Sequence, residues 1–249
     1  MNEERTTLLV DNSNTRTKFA LAEGGELSPG GVRVIPTAEL SEPAVRALLR
    51  GWEYGRVCIS SVVPQSRAVL QAAFPRCAVA HVDAALAPRL FGEYGGRETL
   101  GADRVANVLA VVESCTGPVV VVDMGTAVTF DVVCPGPRYR GGVIAPGLRM
   151  MADSLHGRTA QLPELHSLFK PGSCIGGNTV EAMQAGVYLA FCGMVRETLQ
   201  AMARELGMRP HTVATGGDAA MAAQAVPEID AVDEHLTLRG IAKASALLW

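Results

Sequence analysis

The stretch LLVDNSNTRTKFAL, residues 8–21, ends an apolar strand on a carboxylate and continues into a turn of small polar residues. A second stretch, VVVVDMGTAVTFDVV at residues 119–133, repeats this order of apolar strand, Asp, small turn, Thr and returning strand. A carboxylate at the end of a buried strand costs desolvation free energy unless a bound cation compensates it. Small residues beside it leave backbone N–H groups open to phosphate oxygens. One such turn is explained most simply by the preference of Asp and Asn for turns, but two matched turns indicate a metal–nucleotide phosphate site.

Composition limits the class of protein. The length of 249 residues fits one large domain or two of modest size, and 48% hydrophobic with 19% charged residues allows a substantial core. A net charge of −3 and a pI near 6.0 argue against a nucleic-acid-binding protein. Six cysteines without a C-x-x-C pair and five scattered histidines predict reduced thiols and no zinc site.

The expected location is the cytoplasm. The N-terminal sequence MNEERTTLLVD lacks the apolar segment of a secretory signal. The longest uncharged apolar stretch of the C-terminal half, at residues 182–195, has 14 residues and is too short to cross a bilayer. The sequence therefore predicts a soluble protein without a membrane partner.

Each half of the chain begins with a hairpin whose turn carries Asp, and continues with alternating strands and helices. This weak internal repeat predicts two related α/β lobes, residues 1–116 and 117–249, with a cleft between them. Apolar periodicity and chain breaks predict helices at residues 42–50, 66–74, 102–114, 147–157, 179–206 and 236–249. Residues 158–177 are predicted to be irregular.

A third element lies near the C-terminus, where the strand of TVATGGDAA is followed by Gly216 and Gly217 at a helix start. Such a turn lets a flat or anionic group approach the backbone, although Gly-Gly is common at strand–helix turns. Two phosphate turns followed by a Gly-Gly turn resemble the superfamily of acetate and sugar kinases, Hsp-type chaperones and actin. The resemblance implies two ribonuclease-H-like lobes, as in actin-like ATPases, with a central nucleotide cleft.

The residues between these turns resemble the type III pantothenate kinases over nearly the whole chain. The resemblance rests in part on the first phosphate turn, DNSNTRTK, and on the Gly-Gly turn, ATGGDA. The other motifs are GADRVAN (101–107), DMGTAVTFD (123–131), GGVIAPG (141–147) and IGGNTVEAMQAGV (175–187). The family phosphorylates pantothenate from ATP, the first step of coenzyme A biosynthesis. The resemblance therefore implies a homodimer that uses Mg²⁺-ATP and a monovalent cation, K⁺ or NH₄⁺.

The resemblance also implies roles for individual residues. Asp103 corresponds to the general base that takes a proton from the pantothenate hydroxyl, and Asp123 to the ligand of the monovalent cation. Pantothenate contacts are implied for Tyr94, Gly101, Ala102, Asp103, Arg104 and Thr179, the last from the partner subunit. ATP contacts are implied for Asp11, Asn12, Ser13, Asn14, Thr15, Arg16, Thr17, Lys18, Thr126, Gly216 and Gly217, with Asp11 near Mg²⁺.

Simpler explanations remain open for several of these residues. Asp103 could only stabilise the start of the helix that follows it. Asp123 could be an ordinary turn aspartate, Tyr94 could serve packing alone, and Asp131 could be structural. His156 and His166 have no assigned role. The function also has two alternatives: a small-molecule kinase with another acceptor, or a non-catalytic nucleotide-binding regulator.

The first turn departs from the family pattern at Ser13. The usual D-x-G-N-T is here DNSNT at residues 11–15, so a serine replaces a glycine. If the position requires φ > 0, a serine costs about 1 kcal/mol or more. The sequence therefore predicts either a strained left-handed Ser13 or a rearranged loop.

Overall fold

The computed structural model describes residues 6–249 and groups them into two compact units. The first unit contains the chain up to Cys115 together with Val133–Arg140 and His235–Trp249. The second unit contains Thr116–Val132 and Gly141–Glu234. Each unit has one sheet with helices, so the predicted α/β class is confirmed. The predicted lobe boundaries, which follow chain order, stay a prediction.

The first unit is built on a six-stranded sheet in the order β3-β2-β1-β5-β6, with β4 beside β2. Strands β1 and β2 form the predicted antiparallel hairpin, whereas β5 runs parallel to β1. The elements are β1 (Thr6–Asn12), β2 (Arg16–Glu23), β3 (Glu26–Leu27), β4 (Arg33–Pro36), α1 (Glu42–Leu48), β5 (Arg56–Ser61), α2 (Arg67–Ala73), β6 (Ala78–His81), α3 (Pro88–Phe91) and α4 (Ala102–Val111). Buried apolar side chains of β1, β2, β5 and α2, among them Leu8, Phe19 and Leu70, form its core.

The second unit is built on a five-stranded sheet in the order β11-β10-β7-β8-β9. Its elements are β7 (Val119–Met124), β8 (Ala127–Cys134), β9 (Arg138–Pro146), α5 (Leu148–Gly157), α6 (Thr179–Leu206), β10 (His211–Gly216), α7 (Ala219–Ala223) and β11 (Ala231–Val232). The turn between β8 and β9 and the closing helix α8 (Leu236–Leu248) are grouped with the first unit.

Local sequence signals explain the bounds of α6. The Asn178 side chain accepts a hydrogen bond from the Glu181 N–H at 3.0 Å, which caps the first turn. Gly207 ends the helix with φ 71°, the left-handed conformation that glycine adopts without steric cost. The predicted helix at residues 179–206 is therefore confirmed. None of the described helices combines the length and apolarity needed to cross a bilayer.

The closing helix α8 packs tightly against α4. A Cβ at Gly240 would lie 1.8 Å from the carbonyl oxygen of Ala106, so only glycine fits this crossing. Beside it, the Thr237 hydroxyl donates a buried hydrogen bond of 2.8 Å to Asn107 Oδ1. Because α4 begins with the GADR motif, α8 helps to fix the helix that presents Asp103.

We expect Gly240→Ala to destabilise the protein by about 3 kcal/mol or more, because the added methyl group clashes with backbone. The thermal unfolding midpoint should fall by about 6 °C or more. The matched control is Gly157→Ala, at the end of α5, where a Cβ has no neighbour within 4 Å. An unfolding midpoint of Gly240→Ala equal to that of the control would contradict the close contact between α4 and α8 at Gly240.

Candidate active site

The end of the central strand β1 places Asp11 in the interior of the first unit, where it is 3% exposed. Lys18 Nζ lies 3.7 Å from Asp11 Oδ2, and the Ser13 hydroxyl donates to Asp11 Oδ1 at 2.9 Å. Burial raises the pKa of the Asp11 carboxyl above its ordinary value, Lys18 and Ser13 oppose this only in part, and the charge of Asp103 raises it further. The ionised carboxylate is therefore under-compensated: Lys18 and Ser13 do not fully offset the cost of burying it.

Ser13 does not take the left-handed conformation. Across residues 6–249, positive φ angles occur only at glycines. The Ser13 N–H donates to the Arg16 carbonyl at 3.2 Å, and its own carbonyl accepts from the Thr37 hydroxyl at 2.7 Å. The loop therefore accommodates serine without backbone strain, and the serine hydroxyl contacts the carboxylate of Asp11.

The remaining residues of the first turn divide into buried and exposed positions. Asn12 and Thr17 are buried and joined by a hydrogen bond of 2.8 Å from Asn12 Nδ2 to Thr17 Oγ1. Asn14, Thr15 and Arg16 are exposed. The buried pair holds the hairpin together, and the ATP contacts assigned to these residues stay a prediction.

Asp103 lies in the first turn of α4. Its Oδ1 accepts a hydrogen bond of 2.7 Å from the Arg104 N–H, and a Cβ at Gly101 would lie 2.5 Å from the same oxygen. Burial raises the pKa of the Asp103 carboxyl despite the opposing Arg104 N–H and guanidinium. The start of the helix favours the charged form of Asp103, and burial outweighs this contribution. Ala102 begins the helix at the adjoining position.

Tyr139 contacts two of the candidate site residues and was missed by the sequence interpretation. Its hydroxyl accepts a hydrogen bond of 2.8 Å from Arg104 Nη2, and its ring meets the Tyr94 ring edge-on at 5.1 Å between centroids. Phe91 packs on the same ring at 5.4 Å. Tyr139 is 1% exposed and therefore brings together two side chains that the family resemblance assigns to pantothenate. The signal available in the sequence was the alternation of charged and aromatic residues at Arg138, Tyr139 and Arg140. In the structure only the tyrosine of these three is buried.

The second unit brings its own predicted residues to one edge of its sheet. Strands β7 and β10 are parallel, with Asp123 opposite Thr215 and Met124 opposite Gly216. Gly216 has φ 93°, and a Cβ there would lie 2.5 Å from the Met124 carbonyl oxygen. Thr126 follows in the turn after β7, and Gly217 in the turn after β10. The turn after β7, at this edge, is the second of the two matched turns.

Thr179 belongs to a helix rather than to the sheet. It is the first residue of α6 and is exposed. Ala182, Gly186 and Leu189 are also exposed and follow at helical spacing, so they share its face of the helix.

Two solved structures establish the fold class. The chain resembles a Campylobacter jejuni protein named for the Baf family of transcriptional activators, with a TM-score of 0.61, 17% identity and coverage of 95% and 96% of the two chains. It also resembles a glucokinase from an Antarctic psychrotroph, with a TM-score of 0.51, 12% identity and coverage of 96% and 98%. The protein therefore has the two-lobed fold of sugar kinases and actin-like ATPases, as predicted.

The family follows from sequence. A model of the type III pantothenate kinase family matches residues 7–201. A type III pantothenate kinase from Akkermansia muciniphila is 43% identical over 243 residues, which cover 97% of this chain and 99% of the relative. The chain belongs to the type III pantothenate kinase family.

We expect Asp11→Asn to stabilise the ligand-free protein at pH 8. Because burial raises the pKa of Asp11 in the folded state, its ionised form costs stability above that pKa, and the cost disappears as pH falls through it. The unfolding midpoint of the variant should exceed that of the wild type by about 2 °C or more at pH 8. The difference should shrink on acidification.

The control is Glu53→Gln, which neutralises an exposed carboxylate and should leave the midpoint unchanged. A lower midpoint for Asp11→Asn at pH 8, or a stabilisation that grows as the pH falls, would show that the carboxylate is compensated within the protein.

Proposed function

We propose that the protein transfers the γ-phosphoryl group of ATP to the hydroxyl of pantothenate, forming 4′-phosphopantothenate in the first step of coenzyme A biosynthesis. The observation that carries the proposal is the pair of carboxyls in the first unit. The pKa values of Asp11 and Asp103 are both raised, and the negative charge of Asp103 contributes to raising the pKa of Asp11. In a chain of this family, such a pair suits two roles. Asp11 would face the metal–phosphate group, and Asp103 would face the acceptor hydroxyl.

Phosphoryl transfer depends mainly on positioning and charge neutralisation. Asp11, an under-compensated carboxylate, fits Mg²⁺, which binds through one or two carboxylates and substrate phosphates. When bound there, Mg²⁺ would neutralise charge on the phosphates. Lys18, 3.7 Å from Asp11 and partly exposed, would supply a second positive charge to the phosphate oxygens.

Asp103 would accept the proton of the pantothenate hydroxyl. Its raised pKa brings it closer to neutral pH, where a general base is both ionised and effective. Arg104, next in sequence and held by Tyr139, offers a guanidinium to the pantothenate carboxylate. Tyr94, packed on the same tyrosine ring, would form a wall of the acceptor site.

The second unit would supply the remaining contacts. Asp123 at the end of β7 is the proposed ligand of the monovalent cation, K⁺ or NH₄⁺. Thr126 and the Gly216–Gly217 turn would bind ATP, because the sharp turn after β10 exposes backbone to the nucleotide. The proposed location is the cytoplasm, since the six cysteines of the described chain are free thiols.

We further propose a homodimer formed through α6. In its first half this helix exposes a line of small and apolar residues, Ala182, Gly186 and Leu189, the last of which is 50% exposed. Beside it lies an apolar groove of ≈ 820 Å³ between α5 and α6, lined by Met150, Leu155, Gly186, Val187 and Ala190 among others. Exposed apolar surface of this kind marks an interaction site. Because Thr179 begins the same face, a partner subunit could present its own threonine to pantothenate.

We expect ADP release from Mg²⁺-ATP to require both pantothenate and K⁺ or NH₄⁺. Asp103→Asn should lower kcat by about 100-fold or more, because a carboxamide cannot accept the hydroxyl proton. In the wild type, kcat/KM should decline as the pH falls through the raised pKa of Asp103, above the ordinary value of 3.8. A coupled ADP-release assay at saturating Mg²⁺-ATP measures both quantities.

Glu98→Gln is the control, because it neutralises an exposed carboxylate shortly before the GADR motif and should keep normal turnover. Near-normal kcat in Asp103→Asn would refute the role of the base. ATP binding without turnover would favour the regulator, and ADP release driven only by another hydroxyl compound would favour a different acceptor.

We expect the wild type to sediment as a dimer at micromolar concentration and Leu189→Lys as a monomer, because the substitution would bury a charge in the apolar interface. Met208→Lys, at a 53% exposed position just after α6, is the matched control and should remain dimeric. Analytical ultracentrifugation distinguishes the two states, and a monomeric wild type would exclude the proposed interface.

A further inference from the structure

Two rows of side chains cross strands β2, β1 and β5 where β1 and β5 end. Asp11 pairs with Lys18 of β2 and Ser60 of β5, and the next position pairs Asn12 with Thr17 and Ser61. Side chains at paired positions share a face of the sheet, and successive positions alternate between faces. Lys18, Asp11 and Ser60 therefore form one row, and Thr17, Asn12 and Ser61 form a second row on the opposite face.

The second row is a closed hydrogen-bond network. The Ser61 hydroxyl donates to Asn12 Oδ1 at 2.7 Å, and Asn12 Nδ2 donates to Thr17 Oγ1 at 2.8 Å. The Thr17 and Thr37 hydroxyl oxygens lie 3.0 Å apart. These contacts satisfy polar groups of the second row within the protein, so this row is stable without a ligand.

The first row is open. Ser60 is 1% exposed, and its hydroxyl has no hydrogen-bond partner anywhere in residues 6–249. A buried hydroxyl without a partner is costly, and such groups are uncommon in folded proteins. Its neighbour in the row is Asp11, a carboxylate that is 3% exposed. The unpartnered hydroxyl and the buried carboxylate thus lie side by side on strands about 4.8 Å apart.

We propose that Ser60 binds the hydration shell of the divalent cation, with its hydroxyl hydrogen-bonded to a water molecule that Mg²⁺ carries beside Asp11. The inference rests on the proposed use of Mg²⁺-ATP and adds a residue to that site. The order of the row gives the assignment. Asp11 in the centre attracts the cation, Lys18 on one side favours the anionic phosphates, and neutral Ser60 on the other side meets the coordinated water. Mg²⁺ usually keeps several waters in proteins, and a serine hydroxyl can donate to or accept from one.

The test is Ser60→Ala, measured in three ways against the wild type. The ligand-free variant should unfold at the same temperature or higher, because the substitution removes a buried hydroxyl that has no partner. The Mg²⁺ concentration for half-maximal ADP release should rise about 3- to 10-fold, the effect of losing one hydrogen bond to a coordinated water molecule. The thermal shift caused by ADP with Mg²⁺ should shrink, whereas the shift caused by ADP with EDTA should not change.

Three further variants sharpen the result. Ser60→Cys keeps the side-chain volume with a weak hydrogen-bonding group, so it should behave like Ser60→Ala in its Mg²⁺ dependence. Ser61→Ala opens the closed row and should lower the ligand-free unfolding temperature. Ser245→Ala removes another buried serine hydroxyl, one that donates to the Ala242 carbonyl, and should leave the Mg²⁺ dependence unchanged.

Several results would overturn the inference. These are wild-type Mg²⁺ dependence in Ser60→Ala, a marked loss of ligand-free stability in that variant, or weaker binding of ADP in EDTA with normal Mg²⁺ dependence. The last result would place the hydroxyl on a phosphate rather than on the cation shell. The ADP thermal shifts need no acceptor, so they decide the role of Ser60 even if pantothenate-dependent turnover fails. An absence of Mg²⁺-dependent stabilisation in the wild type would also overturn the inference.

Discussion

The site depends on one constraint: a carboxylate at the end of a buried strand cannot keep its hydration. Asp11 is held in the interior by the pairing of β1 with β2 and β5, and burial outweighs the help of Lys18 and Ser13. The ligand-free protein therefore retains unfavourable electrostatic free energy at that point. In the proposed function a bound cation would remove this cost, so the strand that stabilises the first unit would also form the metal–phosphate site.

Much of the fold could be predicted because its elements carry strong local signals. The hairpin of β1 and β2 combines a continuous apolar strand with a polar turn, and α6 has an Asn cap and a terminal Gly207. Strand β9, residues 138–146, is not predicted from the sequence, because Gly141 and Gly142 suggest a turn and the strand depends on pairing with β8. Non-local pairing of this kind leaves little trace in local composition.

The candidate site is indicated by the sequence to a different extent. Matched turns and the GADR motif indicate Asp11, Asp103 and Asp123, whose roles stay predictions. Tyr139 escaped because its role is to hold other side chains, and its partners lie more than thirty residues away in sequence. The predicted strain at Ser13 depended on its backbone φ angle, which the sequence does not determine. The structure replaces it with a hydrogen bond to Asp11, so the residue that differs from the family pattern contacts the central carboxylate.

The same strand ends carry two different rows of side chains, because successive positions alternate between faces of the sheet. Side chains on one face of β1 and β5 satisfy each other, so they hold the turn without any ligand. Side chains on the other face leave a carboxylate and a hydroxyl incompletely satisfied, which costs stability in the free protein and favours a polar ligand. Because a shift of one residue would exchange the two faces, the register between β1 and β5 determines which side chains share the face of Asp11. The apolar core beneath these strands fixes that register and thereby the chemistry at their ends.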